Sequence, residues 1–456
     1  EIRVENTGPE QIAYPGLSVG EARLRVRRLG LRGSGVILGT VGDTASQTSA
    51  PFDDAGITPA TSDLVADFLA TRKGKGLTVG SIALSDGTLA AALDPAGFNR
   101  HTFLCGQSGS GKTYSLGVIL ERLLLDTDLR MVILDPNADY VHLNELRDPT
   151  AADNDPDAAR YVERVSDLVV YRGRAGDEDE NPLRIRFSEL PDDDQARTLQ
   201  LDPLADRDEF HTFRTIARSL GDRPYDLQDI RHAASENLGE STRDVSLRIA
   251  NLEVEDWSVW ARSDESSLTD LLTIPWRSVV LDVSRFGRPI ERSVVALAML
   301  RYFWNHREQR KPVLMVIDEA HNICPATPRD AIQQAATDLL VTIAGEGRKY
   351  GLYLLLATQR PDKIHPNVLS QCDNLMVMRM NSRADIEQLA EVFSFVSPGM
   401  LARASLFKQG EALFAGKIVP APLFLRVGAR LTTEGGADVP TTWATPDENA
   451  APIPPA

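Results

Sequence analysis

The stretch FLCGQSGSGKTYSLG, from Phe103 to Gly117, constrains this chain more than any other. Gly106, four intervening residues, then Gly111-Lys112-Thr113 is the spacing of a phosphate-binding loop. Glycines let the backbone curl until several N–H groups face one point. The helix that follows adds its positive end at the same place. Lys112 is long enough to reach β- and γ-phosphates, and the Thr113 hydroxyl suits Mg²⁺. Gly106, Ser108, Gly109, Ser110, Gly111, Lys112, Thr113 and Tyr114 are therefore the candidate nucleotide contacts. Such a loop works only between a strand and a helix. The flanks supply both: HTFLCG reads as a strand, and KTYSLGVILERLLLD has helical apolar spacing.

RMVILDP follows as a buried strand, which completes a βαβ unit. SVVLDVSRF, PVLMVIDEA, GLYLLLATQRP and NLMVMRM continue the series. Each is short and almost wholly apolar, as expected of parallel strands covered on both faces. An α/β core over residues 93–431 is the expected fold, with a helical insertion at about 192–265 where no strand pattern interrupts DEFHTFRTIARSL and the segments after it. Residues 1–92 read as short strands and turns, a small β-barrel-like domain. The acidic stretch over 147–185 reads as solvated loop. The Pro-, Thr- and Ala-rich end, 432–456, reads as a flexible tail.

A second acidic element completes the chemistry. In PVLMVIDEAHN, apolar residues deliver Asp318 and Glu319 to a strand end. Asp318 is placed to hold Mg²⁺, and Glu319 to orient and polarise an attacking water. His321, the last residue of DEAH, reads as a packing or hydrogen-bonding residue. Gln359 ends the strand in GLYLLLATQRP, where a polar tip can sense a γ-phosphate. Arg348 and Arg100 each precede a strand and are candidates for an arginine that stabilises transition-state charge from a neighbouring subunit.

These blocks resemble the HerA/FtsK branch of RecA-like ring ATPases. GQSGSGKT, DPNADY, VIDEAHN, GEGRKYGLYLLLATQRP and LSQCDNLMVMRM followed by ADIEQL carry the resemblance, over roughly residues 95 to 430. It implies a RecA-like core with an N-terminal small β-barrel, ATP and Mg²⁺ as cofactors, and a hexamer that moves double-stranded DNA through its channel. It also implies an effector partner, a NurA-like nuclease, a sirtuin-like enzyme or another nuclease, in DNA-end processing or antiphage defence. The family pattern DPHGEY reads DPNADY here, so Asp139 stands one methylene shorter than the usual glutamate and the glycine is lost.

Composition limits the alternatives. The formal net charge of −16 argues against a surface coated with nucleic acid, though not against a local basic patch. Arg72, Lys73, Lys75, Arg379 and Arg383 are the candidates for such contacts. Cys105, Cys324 and Cys372 lack paired spacing and read as reduced thiols. With no apolar run of membrane-spanning length and no leader pattern, a cytoplasmic location without membrane attachment is expected. A DEAH helicase of the second superfamily should carry Ser-Ala-Thr and Gln-Arg-x-Gly-Arg blocks, and neither is present. Two other readings stay open: a conjugation or DNA-pump ATPase, and a ring scaffold that gathers an effector without obligatory translocation.

Overall fold

In the computed structural model the apolar runs around the phosphate loop are fully buried strands. The structure describes residues 61–70, 76–83, 89–173, 181–221, 223–236, 239–262 and 264–436, and before residue 61 only short strand backbones. Those are β1 (Ile2–Asn6), β2 (Glu10–Gln11), β3 (Arg25–Val26) and β4 (Leu29–Gly33), with β1 antiparallel to β4 and β2 to β3. Of the barrel expected over 1–92, the remainder up to residue 60 and residues 71–75 and 84–88 fall outside the described residues. Arg72, Lys73, Lys75 and residues 437–456 lie outside them too.

The core is an 11-stranded sheet. Its strands are β5 (Leu77–Ile82), β6 (Ala90–Leu93), β7 (His101–Cys105), β8 (Arg130–Asp135), β9 (Val169–Arg172), β10 (Ser278–Asp282), β11 (Val313–Ile317), β12 (Leu352–Thr358), β13 (Cys372–Val377), β14 (Glu411–Gly416) and β15 (Leu423–Val427). The order is β6-β5-β15-β14-β13-β7-β12-β11-β8-β10-β9. From β13 to β9 every pairing is parallel, and from β13 to β6 every pairing is antiparallel. This matches the mixed, mainly parallel sheet of a RecA-like P-loop core.

Alternate strand residues feed two cores, one on each face of the sheet. Leu104, Ile133 and Val316 pack with Leu116, Ile119 and Leu123 of the helix Lys112–Asp126. Phe103, Leu134 and Ile317 pack on the other side with the helices Pro289–Asn305 and Ala331–Glu346. Period-2 alternation with apolar residues on both sides is what burial of both faces requires. The helices Asp192–Thr198, Arg207–Ser219, Leu227–Glu236 and Glu240–Leu252 stand between β9 and β10. The first of them is tied to the helix Pro289–Asn305 by buried Asp194, which accepts from Arg301 Nε at 2.7 Å.

The structure departs from the sequence reading in four places. β5 and β6 join the core sheet through β15, so the boundary expected at residue 92 does not separate 77–93 from the core. The helix Ser62–Ala70 lies in a span read as strands and turns; its apolar residues Leu64, Val65, Phe68 and Leu69 have helical spacing. The loop expected over 147–185 contains the helix Pro156–Arg164, capped by Asp155, and β9. Thr432, expected to open a flexible tail, is buried, and residues up to Gly436 pack against the core.

Candidate nucleotide site

β7 ends at Cys105, and the loop turns at once: Gly106 N donates to Thr358 O at 3.3 Å. A Cβ on Gly106 would lie 2.5 Å from Met378 Cβ, which explains the glycine. Gly109 and Gly111 take φ of +70° and +91°, the left-handed region that glycine enters without penalty. Neighbouring segments brace the loop. Arg379 Nη2 donates to Gly109 O at 3.0 Å, Asn381 N to Gln107 Oε1 at 3.0 Å, and Gly410 N to Ser110 O at 3.1 Å. Arg379 thus supports the loop, while Arg383, the other described DNA-contact candidate, pairs with Glu387 on the surface at 2.7 Å.

Beside the loop lies a cleft of about 1240 Å³, ample for a nucleotide. Ser108, Gly109, Gly111, Lys112, Thr113 and Tyr114 line it, as do Gln359 and Asp139. Gly106 and Ser110 sit behind the lining, and the buried Ser110 hydroxyl has no hydrogen-bond partner among the described residues. The opposite wall was not foreseen: Lys408, Gln409, Arg426 and the segment Glu434–Gly436. No motif marks these residues, which reach the cleft only because β14 and β15 fold back beside β13.

Charge is concentrated at the tip of β11. Asp318 and Glu319 are buried there, 1% and 7% exposed. Lys112, first residue of its helix, hydrogen-bonds Asp318 Oδ1 and lies 3.2 Å from Glu319 Oε1. Tyr140 donates its hydroxyl to Asp318 Oδ2 at 3.2 Å. Gln359 Nε2 donates to Glu319 Oε1 at 3.1 Å, and His321 Nδ1 stands 3.2 Å from Glu319 Oε2 and 3.0 Å from Thr358 Oγ1. Gln359 therefore holds one oxygen of Glu319 by a hydrogen bond, while His321, bonded to Thr358, stands close to the other, which has no hydrogen-bond partner among the described residues. Glu319 itself adopts φ +46°, a conformation that costs a non-glycine residue on the order of 1–3 kcal/mol and persists only where its surroundings enforce it.

Protonation follows from this packing. Burial alone would raise the Glu319 pKa, but neighbouring His321 and the Lys112 charge outweigh it and bring it down to about 2. For Lys112, burial disfavours the charge, yet Asp318 and Glu319 hold its pKa above the usual lysine value. Asp139 is raised to about 6 by burial and by Asp318. Burial lifts Asp135 to about 7, against the pull of backbone N–H groups from Tyr140, Asp139 and Asn137. All three cysteines are buried and unpaired, and burial raises their thiols.

The donors around Lys112 are hydroxyl and carboxylate oxygens from Thr113, Asp318 and Asp139, hard ligands that fit Mg²⁺. No group of three or more His, Cys, Asp or Glu side chains among the described residues is arranged to hold a metal by itself. That too is normal for Mg²⁺, which is usually bound through one or two side chains plus phosphate and water.

Arg100 and Arg348 are not at this cleft. Arg348 Nη1 bonds Asp373 Oδ2 at 2.5 Å, and Arg100 Nε lies 3.5 Å from the same oxygen. Arg100 precedes β7 and the phosphate loop follows it, so the length of that strand, roughly 16 Å, separates them.

Two family profiles match the chain: "Helicase HerA, central domain" over residues 77–277, and "ATPase family associated with various cellular activities (AAA)" over 292–380. A probable DNA double-strand break repair helicase HerA from Methanocaldococcus jannaschii is 28% identical over 170 residues, 37% of this chain and 33% of that protein. The DNA double-strand break repair helicase HerA of Pyrococcus furiosus is 22% identical over 367 residues, 72% of this chain and 65% of its own. The match thus spans about a third of the first relative's length and just under two thirds of the second's. VirB4 of Thermoanaerobacter pseudethanolicus shares the fold, with a TM-score of 0.53, 16% identity, and coverage of 78% of this chain and 97% of that one. No helix among the described residues is long and apolar enough to cross a membrane.

Proposed function

We propose that this chain, a RecA-type P-loop ATPase of the HerA/FtsK branch, couples ATP hydrolysis to movement along double-stranded DNA as a homo-hexamer working with a nuclease or other effector, in DNA-end processing or antiphage defence. One observation carries the reading: Lys112 of the phosphate loop meets the acid pair at the tip of β11, where Gln359 holds Glu319.

Backbone N–H groups of the loop and the helix start receive the phosphates. Lys112 leaves the acids for the β- and γ-phosphates, because those oxygens carry more charge and lie in the cleft that Lys112 already lines. Thr113 and Asp318 would hold Mg²⁺ beside the nucleotide, where it would supply neutralisation of the phosphate charge. Glu319, freed from Lys112 and with His321 still beside it, orients and polarises the attacking water. Gln359 exchanges its bond to Glu319 for the γ-phosphate and reports its presence to the loop that follows β12. Arg348 or Arg100 reaches a neighbour's nucleotide, since neither lies near its own.

The test is ATP turnover with and without duplex DNA over a range of salt, for the parent chain and for Glu319→Gln. DNA stimulation that weakens as salt rises is expected. Glu319→Gln should keep nucleotide binding and slow hydrolysis by about 10²–10⁴-fold. Turnover indifferent to DNA at every salt concentration would favour the scaffold, and an active Glu319→Gln enzyme would refute the assignment of the base.

A further inference from the structure

At the ends of the central strands opposite the nucleotide cleft lies another cavity, of about 490 Å³. It opens where β8 and β12 begin and just before β11. Its floor is apolar and buried: Leu272, Phe303 and Leu352. Its rim carries Ile274, 60% exposed, a large apolar side chain in water.

The charge of this cavity runs against that of the chain. Arg130, Arg307 and Lys311 line it, and among the described residues no Asp or Glu does, in a protein of formal net charge −16. The guanidinium groups turn to main-chain carbonyls instead. Arg130 Nε donates to Trp276 O at 3.3 Å, and Arg307 Nη1 to Trp304 O at 2.7 Å. Burial lowers the Arg130 pKa, and among the described residues no carboxylate offsets it. A half-buried cation without a counter-charge is a desolvation cost that an anionic ligand would relieve.

Both anionic peptide and nucleic acid would answer the charge, but the surroundings distinguish them. Arg130 lies over the Trp276 ring at 3.8 Å and Arg307 over the Trp304 ring at 4.4 Å. One face of each indole is thus already covered by a guanidinium. The apolar floor asks for an aliphatic or aromatic side chain, which a sugar-phosphate backbone lacks.

We propose that this groove docks a short acidic peptide segment of a partner protein. A bulky apolar side chain of that segment enters between Ile274 and Phe303, and neighbouring carboxylates pair with Arg130, Arg307 and Lys311. The groove stands at the other ends of the strands from the cleft, so its occupancy does not depend on the ATPase reading.

The experiment is selection of a random peptide library on the full chain without nucleotide, followed by fluorescence anisotropy with a synthetic peptide of the enriched sequence. Enrichment of Leu, Phe or Trp flanked by Asp or Glu is expected. Arg130→Glu with Arg307→Glu should weaken the peptide at least tenfold. Lys311→Glu, on the exposed rim where folding is not at stake, should weaken it several-fold. ATP turnover and solution mass should stay those of the parent. Absence of an acidic motif, affinity unchanged by Lys311→Glu, or displacement by oligo(dT) but not by unlabelled peptide would overturn the proposal. So would a fall in solution mass for Lys311→Glu, which would make the groove a contact between copies of this chain.

Discussion

Glu121→Ala probes how the end of the chain is fastened to the nucleotide site. Glu121 is fully buried midway along the phosphate-loop helix. Its carboxylate accepts from Leu431 N at 2.9 Å, Thr432 N at 2.8 Å and Thr432 Oγ1 at 2.6 Å, and lies 3.5 Å from Arg430 Nε. Arg430 passes over Gly117 of the same helix so closely that a Cβ there would meet its guanidinium at 2.7 Å. Beyond Thr432, residues Glu434–Gly436 wall the cleft. Removing the carboxylate strands two backbone donors, a hydroxyl and a buried guanidinium. Each unsatisfied buried donor costs about 1–3 kcal/mol, and an uncompensated buried charge about 3–5 kcal/mol. That exceeds what a single surface-proximal segment can withstand, so the strap should lift and hydrate. Amide exchange at Leu431 and Thr432 should accelerate at least 100-fold, about 2.7 kcal/mol, and ATP affinity should fall with it. Glu121→Gln, which keeps one acceptor, should do less of both. Exchange at those two amides within about twofold of the parent, together with unchanged ATP affinity, would refute the reasoning.

Four further outcomes are expected. Lys112→Ala should lose nucleotide binding and also destabilise the empty protein by about 3–5 kcal/mol, because two buried acids lose their shared cation. Glu319, held at about 2 in the fold against 4.5 ordinarily, contributes stability that is present above pH 4.5 and lost as pH falls toward 2. Urea midpoints across that range should show the loss in the parent and a smaller one in Lys112→Ala. Asp139 has the opposite sign: raised from 3.8 to about 6, it costs stability as pH rises through that window. Neutralised below about pH 6, it should also repel nucleotide less. ADP titrated in EDTA should bind more tightly at pH 5 than at pH 7.5, and Asp139→Asn should reduce that difference. Arg348→Ala should bind ATP but hydrolyse it poorly, and mixing it with inactive Lys112→Ala should restore part of the turnover if Arg348 acts across a subunit border. No recovery on mixing would assign Arg348 a role within its own subunit.

Much of this architecture was readable in the residues. The strands β7, β8, β10, β11, β12 and β13 announce themselves because both their faces are covered, which forces unbroken apolar runs. The phosphate loop and the acid pair declare their chemistry through spacing alone. What escaped notice depends on tertiary neighbours. β9 is four residues long and sits in an acidic setting that reads as solvent-exposed. Lys408, Arg426 and Glu434 reach the cleft only through the antiparallel return of β14 and β15. Arg100 and Arg348 were found by position, but their shared partner Asp373 is visible only once β13 lies beside β7. His321 gave no local sign that it would stand beside Glu319, since its position also involves Thr358 on another strand.

The contact between Lys112 and the two acids bears on how a cycle would finish. The same ammonium group has two homes, phosphate oxygens or the β11 carboxylates, and it cannot occupy both. When cleavage removes the γ-phosphate, the pull toward the nucleotide weakens while the acids' pull is unchanged. On the proposed mechanism the carboxylates would then act as a rival for the cation, which would loosen the spent diphosphate and reset the pocket.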